Sequence, residues 1–283
     1  MCKSFFRFVC FVLCINLIFA GNLFTVQAMN KRTVKNLLKT AIKPVGKVLY
    51  VYGGGWNQED NGAGRPAKTI GLYPLWQKFY DSQNHNYDFE VYDYEKSKVV
   101  IYVGLDCTGY MGWVLYNYLE DESETDDNLK EGYVCKSSQM ADKLAELGFG
   151  NVTDCKKVCE DQDFKPGDIM ASKTKYHVYM VLGKCSDGSV LFVHSSPPGL
   201  SICGTVDKNN NLNSEAIKLA EEYMTKYYPD YQKKFPKRSK PSFYLTEFDR
   251  FRFSDEIISD SDDGYLEMSV ENMMDDLFSD LFE

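Results

Sequence analysis

Histidine is scarce in this chain: His85, His177 and His194 are the only three in 283 residues. Imidazole chemistry, if the protein performs any, therefore rests on a very small set of side chains. Internal repetition is missing too, since no stretch recurs at a period of about 20–50 residues, which argues against solenoids and propellers. The apolar run Phe8 to Ala20 is interrupted by Asn16 and is shorter than the roughly 20 residues a bilayer-spanning helix needs. Basic side chains are absent from residues 254–283, which hold eleven acidic ones.

What is present is enough apolar material for a large folded domain: 44% of residues are hydrophobic and 14% aromatic, too much for a disordered chain. Lys3 and Arg7 precede the N-terminal apolar run, and Val26-Gln27-Ala28 offers the small-residue pattern that signal peptidases cut. Residues 1–28 are expected to be a signal peptide, with cleavage after Ala28 favoured over a cut after Ala20 or a retained anchor. The expected protein is secreted, extracellular or cell-wall associated, with no stable membrane span once the signal is removed. Losing residues 1–28 removes two basic groups and moves the charge from −9 to −11. The eleven tail carboxylates account for all of that, leaving a body of zero net charge. Without clustered positive charge to displace counterions, a general nucleic-acid binder is disfavoured. Nine cysteines fall to six on cleavage: Cys107, Cys135, Cys155, Cys159, Cys185 and Cys203. That density is far below a stapled mini-domain and points to a fold that is mostly independent of disulfides.

The expected fold class is α+β, with a central antiparallel sheet packed on helices. The expected organisation is a catalytic domain over 29–253, with an insert at about 56–103, followed by an acidic tail over 254–283. Periodicity and punctuation predict helices over Asn30–Thr40, 107–119, Ser138–Leu147 and Ser214–Tyr228. The helix that opens at Asp106-Cys107 is expected to bury one stripe and to end in an acidic loop at Asp121 to Asp127. The insert is expected to hold a helix near Leu75–Asp81 and strand pieces near Phe89–Tyr94 and Val99–Val103. Phe164-Lys165-Pro166-Gly167-Asp168 reads as a turn feeding a strand at Ile169–Ser172. Strands at His177–Leu182 and Val190–His194 flank Asp187-Gly188, a hairpin signal, and Pro197-Pro198 ends the second. Phe243–Phe253 is expected to add an edge strand.

Two of the three histidines thus sit on the arms of one hairpin. Side chains alternate faces along a strand, so parity decides whether they meet. A four-residue loop at 184–187 sets His177 opposite His194; a loop at 185–188 sets His194 opposite Tyr179 and diagonal to His177. Both place the imidazoles on one face, and an odd-length loop would split them. Cys107 opens a helix, where free N–H groups and the macrodipole favour a thiolate, and Thr108 and Gly109 leave the sulfur accessible. A thiol, an imidazole in reach and a second imidazole to orient the first are the parts of covalent acyl transfer. Asp106 is expected to serve as a helix cap in preference to a chemical role. Cys155 and Cys159 lack partners at ligand spacing, so no metal is expected, and no cofactor is called for.

Four ordered stretches resemble the NlpC/P60 family of secreted cysteine peptidases. They are Tyr50-Val51-Tyr52-Gly53-Gly54, Asp106-Cys107-Thr108-Gly109-Tyr110, Phe164 to Ile169, and His177-Val178-Tyr179-Met180-Val181-Leu182-Gly183. The resemblance covers about 45–55 and 104–204. It implies a papain-like core, Cys107 as nucleophile, His177 as base, His194 as the third polar residue and Tyr50 near the oxyanion position. The implied substrate is an amide of a peptidoglycan stem peptide, commonly between the γ-carboxyl of D-glutamate and a diamino acid. Three features depart from the family pattern: the long link between Gly55 and Cys107, Tyr179 in place of a small glycine, and no accompanying wall-binding repeat. Transglutaminase-like or amidase chemistry on another amide, and a catalytically silent binding protein on the same scaffold, are the competing readings.

The aromatic insert offers faces for sugar stacking, or simply packing surface for the core. Lys226, Lys233, Lys234, Lys237, Arg238 and Lys240 form a basic stretch that is ordinarily a solvated face. In the tail, Ser269 caps an expected short helix whose Met273, Met274, Leu277, Phe278, Leu281 and Phe282 recur at helical spacing. Packing on the body is its plain expectation; the sharper one is docking near the basic stretch so as to limit access to Cys107.

Overall fold

The computed structural model describes residues 32–54, 71–92, 101–119, 133–259 and 264–282. The expected signal peptide, the acidic loop at 121–127 and parts of the insert lie outside these residues. No helix among the described residues is long and apolar enough to cross a membrane.

Helix α1 (Val34–Ile42) starts later than Asn30 because Thr33 supplies the cap, its hydroxyl accepting the Asn36 N–H at 3.2 Å. Within the insert, α2 (Pro74–Ser82) forms where expected, with Pro74 at its first turn. The expected strand pieces beside it are instead short 3₁₀ turns at Phe89–Tyr92 and Ile101–Val103. The insert's aromatics are spent on packing. Trp76 lies edge-on to Trp113, Tyr80 stacks on Tyr231 with centroids 5.9 Å apart, and both Trp76 and Tyr80 are buried.

Helix α3 (Cys107–Leu119) buries nearly its whole circumference rather than one stripe. It is enclosed by α1, the insert and the sheet, so the i, i+3, i+4 pattern expected of a surface helix does not apply. Helix α4 (Met140–Glu146) falls within the expected span and stops before Gly148, whose φ is +78°, while Leu147 is exposed. Next come strand β1 (Gly150–Thr153), helix α5 (Cys155–Asp161) and strand β2 (Ile169–Ala171). Strands β3 (Val178–Lys184), β4 (Val190–Ser196) and β5 (Gly199–Thr205) follow, then helices α6 (Glu215–Tyr227) and α7 (Pro229–Lys234). Strands β6 (Ser239–Lys240) and β7 (Asp249–Phe253) and helix α8 (Val270–Phe282) complete the chain.

The seven strands form one mixed sheet in the order β1-β7-β2-β3-β4-β5-β6, antiparallel except for the β5–β6 pair. The fold is therefore α+β. Strand β7 was expected at an edge and is interior, between β1 and β2. Its two arginines, Arg250 and Arg252, are both paired. Arg252 donates from Nε and Nη2 to the two carboxylate oxygens of Asp168, each at 2.7 Å, and both arginines reach Asp163. The Pro166-Gly167-Asp168 turn is thus tied to β7 by a buried carboxylate. Strand β5 was not foreseen, because its glycines and small polar residues dilute the strand pattern.

The two faces of the sheet carry separate cores. One packs against α1, α3, α4, α6 and α8; the other holds Tyr179, Val181, Phe192, Cys203, Tyr244, Leu245 and Phe248 under α5 and the 242–248 segment. Tyr179 stands where the family pattern has a small glycine. It is wholly buried in the second core, donating its hydroxyl to the Tyr244 carbonyl at 2.6 Å.

Helix α8 belongs to the first core, burying Met273, Met274, Leu277 and Phe278. Its ion pairs are with Lys35 and Lys39 on α1, Lys35 meeting Asp276 and Asp280 at 2.8 Å each, while Phe278 and Phe282 pack on Tyr227 and Tyr228, so the helix does lie against the start of the 226–240 stretch. Val270 packs on Gly183, at the end of β3 remote from His177. The tail is therefore a structural layer away from Cys107.

Candidate active site

The hairpin of β3 and β4 builds the site by an unexpected route. Lys184 pairs with Val190, leaving a five-residue connection, an odd number that by itself would put the two histidines on opposite faces. A β-bulge corrects the parity: Val181 pairs with Phe192, but Gly183 pairs with Leu191, so Leu182 is the extra residue. Continued to the start of β3, that register sets Tyr179 opposite His194 and His177 diagonal to it. The imidazoles meet, with His177 Nε2 2.8 Å from His194 Nδ1 and ring centroids 5.0 Å apart.

Cys107 stands at the first position of α3, with its backbone clamped from three sides. Asp106 accepts from the Gly109 N–H at 2.6 Å and the Thr108 hydroxyl at 3.0 Å, and its carboxylate also takes the Gly53 N–H. It is the cap that the sequence predicted, and it also ties the Gly53-Gly54 segment to the helix. Gly54 and Gly109 are required by close approach: a Cβ on Gly109 would lie 2.5 Å from the Gly54 carbonyl oxygen. From the sheet, Ser195 donates its hydroxyl to the Leu105 carbonyl at 2.6 Å, fixing the chain two residues ahead of Cys107 to the strand that carries His194. The Val178 N–H, next in chain to His177, is directed at the Cys107 sulfur. The cysteine that opens α3 is thus tied to β3 at Val178, next in chain to His177, and through Leu105 to β4, which carries His194.

Burial sets the electrostatics. It pushes the Cys107 thiol far above its ordinary range, the charge of Asp106 adds to this, and the N–H groups of Val178, Thr108 and Cys107 oppose it. The thiolate expected from the helix N-terminus is therefore disfavoured at rest: desolvation outweighs the macrodipole at a cysteine that is only 8% exposed. Burial, with help from the Lys240 charge, pushes His177 down to about 3. His194 is held well below its ordinary value by burial, then by Lys240, His177 and Arg238. The resting site is a neutral thiol beside two neutral imidazoles.

Tyr50 sits at the rim of the same region. Its N–H donates to the Pro198 carbonyl, its carbonyl accepts from Tyr87 at 2.6 Å, and its ring lies edge-on to Phe89 at 5.5 Å. The insert thereby braces the segment that precedes the glycine pair. His85 is exposed and far along the chain from the other two, in a cleft of about 420 Å³ with Tyr80, Asp81, Asp230, Lys233 and Lys234.

Three contributors escaped the sequence reading. Tyr244 packs edge-on to both imidazoles, at 5.8 Å from His177 and 6.1 Å from His194, and Phe248 joins it against His177. Ser195 and Arg238 are the others. Ser195 and Tyr244 carry no local signal, since each matters through a neighbour distant in sequence, and Arg238 was read only as part of a solvated basic stretch. The six cysteines among the described residues are free thiols. No family model, curated protein or solved structure matches the chain.

Proposed function

We propose that this chain is a secreted cysteine peptidase with a papain-like core similar to NlpC/P60 enzymes, hydrolysing amide bonds in peptidoglycan stem peptides. The observation that carries the reading is the His177–His194 hydrogen bond at 2.8 Å, placed beside a cysteine that opens a buried helix.

The roles follow from proton bookkeeping. For His177 to receive the thiol proton on Nδ1, its Nε2 must already carry hydrogen and donate it to His194 Nδ1. His194 then fixes the tautomer and ring plane of the base. Because thiol and imidazole both rest neutral, proton transfer accompanies attack of Cys107 on the amide carbonyl rather than preceding it. The oxyanion is received by backbone N–H at the α3 terminus, with the Tyr50 hydroxyl as second donor. His177 returns its proton to the leaving amine and then activates water to cleave the thioester.

Incubating the protein without residues 1–28, and its Cys107→Ala form, with purified muropeptides tests this by mass spectrometry of the products. The expected result is cleavage of a stem-peptide amide by the first and none by the second. Cleavage that survives loss of Cys107 overturns the mechanism, and no cleavage by either overturns the substrate.

A further inference from the structure

The face of the sheet that carries the imidazole pair continues across two more strands. His194 registers opposite Ser201 on β5, and Ser201, Cys203 and Thr205 share that face by alternation. Thr205 registers opposite Lys240 on β6, which puts Lys240 on the same face. Arg238 is two residues earlier and in step with Lys240, with its carbonyl accepting the Gly204 N–H at 3.0 Å. Two cations therefore share the face that carries the two histidines, Arg238 level with Cys203 and Lys240 level with Thr205, two and four residues along β5 from Ser201.

Arg238 is anomalous for a charged side chain. It is 2% exposed, and its Nε and Nη1 have no hydrogen-bond partner. Nη2 donates to the Phe235 carbonyl, and the guanidinium carbon lies 5.4 Å from the Tyr231 ring centroid. Among the described residues no carboxylate forms an ion pair with Arg238 or Lys240. The acid closest to the nucleophile, Asp106, is occupied by the donors of Gly53, Thr108 and Gly109. A buried guanidinium without a counter-charge is among the costliest arrangements a fold can keep, and the described residues supply no carboxylate to offset it.

We propose that Arg238 and Lys240 form a cationic subsite beside the His177–His194 pair, which receives a free carboxylate carried by the substrate next to the scissile amide. The inference rests on the peptidase reading and adds a specificity to it. Arg238 presents unpaired N–H donors from within the core, and half-buried Lys240 supplies the charge nearer solvent. Both charges also bear on the imidazoles, Lys240 on each and Arg238 on His194. An anion bound there would relieve their pressure on the base and make it more able to accept the thiol proton, so the correct substrate would help to activate its own hydrolysis.

Alkylation of Cys107 reads the subsite without requiring turnover. Rates are compared for iodoacetate, which is anionic, and iodoacetamide, its neutral counterpart, in the wild type, Arg238→Met, Arg238→Lys and Lys240→Gln. The iodoacetate-to-iodoacetamide ratio should fall about tenfold in Arg238→Met and in Lys240→Gln, the size expected of one charge within several ångströms at partial burial. Arg238→Lys should keep most of the ratio, and sodium acetate should slow iodoacetate selectively in the wild type. Lys240 is partly exposed, so its variant keeps the test valid should Arg238→Met fail to fold. A ratio unchanged in Lys240→Gln overturns the subsite and leaves the peptidase reading standing. A Cys107 inert to both reagents in the native protein overturns the peptidase reading itself, and the subsite with it.

Discussion

Cys107, His177 and His194 are kept neutral by the same burial that positions them, and this makes the site sensitive to acid. A histidine whose pKa is lowered in the folded state binds fewer protons there than in the unfolded chain between the two values. For His177, about 3 when folded against 6.5, stability is complete above pH 6.5 and is lost as pH falls towards 3. His194 is displaced in the same direction. Each should contribute a slope of up to about 1.4 kcal/mol per pH unit in that window. Denaturant titrations at stepped pH should show His194→Asn losing one histidine's share of the slope; equal slopes would mean that His194 is not held neutral. In turnover, His194→Ala should lower kcat about 10²-fold with little change in KM, because it orients the base without touching substrate. At this scale the cysteine and both histidines were legible in the sequence, since scarcity and strand parity single them out. Ser195 and Tyr244 were not, because their roles depend on partners 50 or more positions away, as Ser195 with Leu105 illustrates at a separation of 90.

Among the elements, the bulge at Leu182 decides whether the two histidines meet. Counting loop residues could not reveal it, because a bulge is set by what packs on the strand. Gly183 lies under α8, where a Cβ would come within 2.6 Å of Val270 Cγ2. Gly183→Val should therefore destabilise the fold by about 1–3 kcal/mol, measured by chemical denaturation. A neutral result would show that α8 yields easily. Ser195→Ala removes the bond that holds Leu105 to β4 and leaves a buried carbonyl unpaired. Its expected cost is about 1–2 kcal/mol in stability, with a drop in kcat from the displaced nucleophile. Unchanged kcat would show that Asp106 alone positions Cys107.

For the molecule as a whole, four of the eleven acidic residues at 254–283, Glu271, Asp275, Asp276 and Asp280, lie on the outer side of a core helix. Burying Met273, Met274, Leu277 and Phe278 contributes on the order of 10 kcal/mol before entropy is counted, as much as the entire net stability of an ordinary domain. A chain ending at residue 253 should consequently fail to fold cooperatively, with loss of the thermal transition and rapid proteolysis. If it folds and its Cys107 is simply alkylated faster, the tail is a cover after all.

By itself the sequence determined the α+β class, most of the helices, the turn-and-strand order from 164 to 194 and the three residues proposed for chemistry. These depend on local periodicity, punctuation and the rarity of histidine, all of which are written along the chain. Only the tertiary structure decided that β7 is interior, that the bulge restores the histidine register and that burial raises the Cys107 thiol above its ordinary range. Each is settled by what surrounds a residue: the acids that neutralise the β7 arginines, the helix over Gly183 and the depth of burial at the α3 terminus. Desolvation and packing act between residues that the chain keeps far apart, so they become readable only once the fold has brought them together.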